Sequence, residues 1–104
     1  SRVDWVYISK YQKISEEFII EFKDYIDWFW IGKQKLSEEF IRKYQDKLNL
    51  EIVASSNVLS EDFISEFRDI LNWKVVSRYQ TLSKEFISKF EDKVDWNLIN
   101  IYQV

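Results

Sequence analysis

Ser15-Glu16-Glu17-Phe18-Ile19 returns as Ser37-Glu38-Glu39-Phe40-Ile41, as Ser60-Glu61-Asp62-Phe63-Ile64 and as Ser83-Lys84-Glu85-Phe86-Ile87. Self-similarity at a spacing of 22 or 23 residues is the signature of a repeat architecture. A second motif keeps step with the first: Asp4-Trp5, Asp27-Trp28, Asn72-Trp73 and Asp95-Trp96, with Asn49-Leu50 in the third place. The units are therefore 4–26, 27–48, 49–71 and 72–94, with a half unit at 95–104, all within a single repeat domain 1–104. Unit two is one residue short, because Tyr11-Gln12 of unit one has only Gln34 opposite it.

Each unit reads as two helices. One starts at the Ser, whose hydroxyl caps free N–H groups, and the acidic residues that follow suit the positive end of a helix dipole. Phe18, Ile19, Phe22 and Ile26 then fall at helical spacing, as do Phe40/Ile41/Tyr44/Leu48, Phe63/Ile64/Phe67/Leu71 and Phe86/Ile87/Phe90/Val94. This is expected to be the longer helix. In the shorter one, a helical wheel groups Trp5, Tyr7, Ile8 and Tyr11 on a core side and turns Val6, Ser9 and Lys10 outward. The rival for this element is a strand, since Trp73-Lys74-Val75 alternates and is rich in strand formers. A strand-plus-helix unit would resemble a leucine-rich repeat, whose spaced leucines are missing here.

The expected fold is all-α: a short α-solenoid of four and a half stacked helix-turn-helix units, with turns such as Lys13-Ile14 between helices. One hairpin cannot cover its ring-rich face alone, whereas stacked neighbours can. Helix is expected in well over half of the residues.

Composition narrows the function. Apolar residues make up 46% of the chain and aromatic ones 18%, so the core is built from rings. There is one Gly and no Pro, which disfavours a fold built on tight β-turns. No Cys or His is present, which removes disulfides, thiolate chemistry and the usual zinc ligands and general base. A net charge of −3 with interspersed signs gives no reason to expect a nucleic acid as main partner. Apolar runs fall far short of a membrane span, and no signal peptide is visible. Met is absent, so Ser1 is expected to be a processed or excised start.

The pattern Asp-Trp-x-x-Ile-Ser-x-Tyr-Gln-x-Leu-Ser-Glu-Glu-Phe-Ile resembles short tandem repeats carried in many copies by proteins of giant viruses, some bacteriophages and other microbes. Residues 4–26 and 72–94 match best, while unit three departs from it at Leu50 and at Ala54-Ser55-Ser56-Asn57. The resemblance implies a viral or phage interaction protein in the host-cell cytoplasm, and it carries no catalytic residue to transfer.

Candidate chemistry is sparse. The carboxylate pairs Glu16/Glu17, Glu38/Glu39 and Glu61/Asp62 suit acid–base work or a metal, but their recurrence at a helix start fits the dipole better. Asp24, Asp46, Asp69 and Asp92 are expected to receive bonds from the N–H groups of the next short helix. Gln12, Gln34, Gln80 and Gln103 sit on the core side, where backbone bonds at the turn would satisfy them. No catalytic, cofactor or metal residue is expected.

Partner-specific information should sit where the units differ and face outward: Val6, Lys10, Phe29, Lys33, Glu51, Ser55, Lys74 and Arg78. Phe29 takes a slot held elsewhere by Val6, Glu51, Lys74 and Asn97, so Trp28-Phe29-Trp30 either exposes an apolar patch or fills a crevice left by the deletion beside Gln34. The expected partner-binding set is Val6, Lys10, Phe29, Trp30, Lys33, Lys74 and Arg78. The leading reading is a non-enzymatic protein–protein interaction module, with self-association through the end units as a further expectation. Alternatives are an inhibitor of a host defence enzyme or its nucleic acid, and a structural segment of a longer array.

Overall fold

Asp4 opens the first helix by accepting a hydrogen bond from the Tyr7 N–H at 3.0 Å, and an Asp or Asn does the same at every short helix. Ser15, Ser37, Ser60 and Ser83 each take the N–H three residues on at 3.1 Å. These caps space out the elements of a computed structural model that describes residues 2–103. Among the described residues the order is α1 (Trp5–Tyr11), α2 (Glu16–Glu21), α3 (Trp28–Ile31), α4 (Glu38–Lys43), α5 (Leu50–Ser56), α6 (Glu61–Glu66), α7 (Trp73–Tyr79), α8 (Lys84–Lys89) and α9 (Trp96–Tyr102). The fold is all-helical, with no strand among these residues, so the strand-plus-helix alternative falls away. Ser1, and Val104 at the end of the half unit 95–104, lie outside the described residues. No described residue takes a positive φ, which is how a chain with one Gly and no Pro makes so many turns.

The Ser-led helix is the longer of the two only in unit two, where α4 has six residues and α3 four; in the other units it has six against seven. Phe22 leaves helical geometry at φ −107°, ψ 25°, and Lys23 and Tyr25 then bond three residues back. The Lys23 carbonyl is claimed from outside, by the Trp28 indole N–H at 2.9 Å. The same bond joins Trp73 to Arg68 and Trp96 to Glu91. Helix consequently covers just over half of the chain, less than the periodicity implied.

The residues divide into two compact units after Asn57. In the first, Ile19, Ile26, Ile31, Phe40, Ile41, Leu48 and Val53 are buried. Trp5 lies 5.2 Å from the Phe22 ring and Trp28 5.3 Å from Tyr44, so each Trp seals its short helix to the Ser-led helix that follows. In the second, Phe63, Ile64, Phe67, Val76, Phe86, Phe90 and Ile99 are buried, and Trp73 stands 5.2 Å from Phe90. Trp96 is 49% exposed.

The short-helix wheel needs two corrections. Ser9 and its counterpart Ser77 do not face outward; both are fully buried. Ser9 Oγ donates to the Trp5 carbonyl at 2.6 Å and accepts from the Asp27 N–H at 2.8 Å, and Ser77 Oγ accepts from the Asp95 N–H at 3.0 Å. The slot demands a small residue because the next short helix begins against it. Gly32 shows the tightness: a Cβ there would sit 3.2 Å from the Asn49 carbonyl oxygen and from methyls of Ile52 and Val53. Conversely Tyr7, Tyr11 and Tyr79 are exposed, because an outer ring edge remains once the small-residue slot has taken the contact.

Candidate functional site

Several of the polar residues that recur from unit to unit hold neighbouring units together. Gln34 donates through Nε2 to the carbonyls of Ser9 at 3.1 Å and Gln12 at 2.6 Å, and its Oε1 accepts from the Ile14 N–H at 3.4 Å. Asn57 does the same in the following unit, donating to the Gly32 carbonyl and accepting from the Leu36 N–H. In the second compact unit, Gln103 donates to the Ser77 and Gln80 carbonyls and accepts from the Leu82 N–H. Each amide thus ties a short helix end to the turn of the preceding unit. The deleted residue of unit two is absorbed here: Gln34 bonds three residues back to Ile31, where Gln12, Asn57 and Gln80 bond four back. That tighter turn keeps the amide in register.

A carboxylate forms a second tie. Glu16 accepts from the Ser37 backbone N–H at 2.6 Å and from its hydroxyl at 3.0 Å, and Glu61 repeats both bonds with Ser83. Charge-assisted bonds of this kind are stronger than neutral ones. Asp24, Asp46, Asp69 and Asp92 do not act as expected. The N–H groups they were to receive go to the capping Asp27, Asn49, Asn72 and Asp95, which lie closer in the chain, and Asp69 instead stands 3.8 Å from the Lys93 ammonium.

What remains is the outward face of α1 and α3. Phe29 is 50% exposed, so it does not fill a crevice, and its ring meets Trp30 edge to face at 4.9 Å. Lys10 holds its ammonium 4.2 Å from the Trp30 ring centre and Lys33 lies 5.5 Å away. Cations over an aromatic face are worth about 0.5–1 kcal/mol each at exposed sites. Lys10, Phe29, Trp30 and Lys33 are therefore one cluster. Val6 is equally exposed, one turn before Lys10 on α1, and Tyr7 and Tyr11 add rings 5.1 Å apart. Lys74 and Arg78 lie on α7 in the second compact unit, where the Arg78 guanidinium is 4.9 Å from Tyr79 and 5.4 Å from Tyr102. Glu51 is exposed, and Ser55 bonds back to the Ile52 carbonyl.

Beside the cluster a crevice of about 500 Å³ opens between Lys13, Ile14, Ser15, Lys33, Gln34 and Lys35. Lys13 and Lys35 escape a comparison of outward variable positions that is confined to the helices. Both follow the Gln of their unit directly, where units three and four carry Val58 and Thr81, so the same rule extended into the turns finds them.

Among the described residues no group of three or more Asp or Glu side chains converges as a metal site would require. Nor, among the described residues, is any helix long and apolar enough to cross a membrane. No protein-family model, curated protein sequence or solved structure matches the chain.

Proposed function

We propose that the chain is a non-enzymatic protein-interaction module, of viral or phage origin, that binds through the ring–lysine face of α1 and α3. One observation carries the reading: Phe29, half exposed, stands on Trp30 in a slot that no repeat contact requires. Rings anchored at one edge and free at the other are the residues that dominate protein interfaces. Flanking lysines give such an anchor a polar rim. The amides of Gln34, Asn57 and Gln103 and the carboxylates of Glu16 and Glu61 support the same reading from the other side, since they are spent on packing and leave recognition to positions that vary.

Comparative capture from host lysate tests it. Proteins enriched on the wild-type chain should be lost on Phe29→Ala and retained on Lys93→Ala, with both variants as stable as wild type. Equal capture by all three would move the site to the outer faces of the Ser-led helices, around Ile20 and Arg42.

A further inference from the structure

Resting on that reading, we infer that the partner segment is an acidic peptide: an apolar side chain sits on Phe29 and the carboxylates beside it enter the crevice walled by Lys13, Lys33 and Lys35. Lys33 joins the two halves, lying over Trp30 and lining the crevice. The crevice has three cationic walls and no carboxylate among its lining residues. Its floor is neutral, with the Gln34 amide already satisfied by Ser9, Gln12 and Ile14. Among the described residues no carboxylate pairs with Lys13, Lys33 or Lys35, in a chain that carries more acidic than basic residues. Three like charges held around one recess repel each other, and an anionic segment relieves that repulsion while its apolar neighbour covers the ring.

A peptide fits this site better than a single-stranded nucleic acid. Base binding needs aromatic faces free for stacking along a basic groove. The Trp30 ring is already engaged by two ammonium groups, and the cations form a compact recess.

Isothermal titration with three probes tests the inference on the full chain. They are a synthetic peptide alternating glutamate with phenylalanine, its glutamine-for-glutamate counterpart, and an oligouridine. The glutamate peptide should bind and weaken as salt is raised, the glutamine peptide should bind about tenfold more weakly, and oligouridine should not compete. Lys13→Gln with Lys35→Gln, both exposed and outside the helices, should lower glutamate-peptide affinity about five- to tenfold without changing the melting temperature. Equal binding of the two peptides, no effect of the lysine pair, no binding by either peptide, or tighter binding of oligouridine would each overturn it. The two readings fail separately: if Phe29→Ala abolishes binding while the lysine pair changes nothing, only the acidic partner is lost. If the lysine pair matters and Phe29→Ala does not, the ring anchor is wrong.

Discussion

Replacing Gln34 with Leu keeps the volume of the side chain and removes its amide. Three bonds disappear, but they are not equivalent. The Ser9 carbonyl lies in a fully buried residue and would be left without its partner, a loss of about 1–3 kcal/mol. Gln12 is exposed, so water can replace the amide at its carbonyl, and that bond is worth about 0.5–1.5 kcal/mol. The Ile14 bond at 3.4 Å is long and adds little. Gln34→Leu should therefore destabilise by about 2–4 kcal/mol, a large share of the roughly 5–15 kcal/mol that a domain of this size commands. Gln12 occupies the same slot in the preceding unit but is exposed, so Gln12→Leu should change stability by no more than about 0.5 kcal/mol. Urea unfolding followed by tryptophan fluorescence and circular dichroism gives both values. Equal losses in the two variants, or none at Gln34, would refute the assignment of the amide as a tie between units.

Other outcomes follow from the same geometry. Gly32→Ala should cost about 1 kcal/mol and Gly32→Leu more than about 2, read from urea midpoints, because a Cβ already meets backbone and methyls at 3.2 Å. Glu61→Gln weakens the pair of hydrogen bonds accepted from Ser83 and should cost about 1–2 kcal/mol, against less than about 0.5 for exposed Glu85→Gln. Trp73→Ala loses its ring contacts and its bond to the Arg68 carbonyl and should cost about 3 kcal/mol or more by thermal unfolding, while neighbouring Lys74→Ala should stay within about 0.5.

The helices were legible because two periods superpose in this sequence. The repeat places the caps, and the helical spacing of Phe18, Ile19 and Phe22 names the buried face. Two things were not legible. A wheel treats Ser9 as polar and turns it outward, whereas a hydroxyl with one intrahelical partner and one across the interface can be buried at little cost. After α2, α6 and α8 an indole reaches back to the carbonyl five residues before it, a contact that pattern and propensity do not encode, while α4 ends alike with Leu50 in the place of the Trp. At the candidate site, comparing units singled out Phe29 as the one large ring among the variable outward positions but left open whether it is exposed or fills a crevice, and the structure decides for exposure. The crevice needed the structure, since Lys13 and Lys35 meet only when two turns are brought together.

The claim that binding resides in the outward ring of unit two, and not in the repeated framework, is tested most directly by measuring stability and affinity on the same Phe29→Ala protein. Thermal unfolding within about 0.5 kcal/mol of wild type, together with affinity for the phenylalanine–glutamate peptide at least about tenfold weaker, is the expected result. Unfolding of the variant would make Phe29 a core residue, and full affinity in a stable variant would remove the ring from the binding surface; either result contradicts the claim.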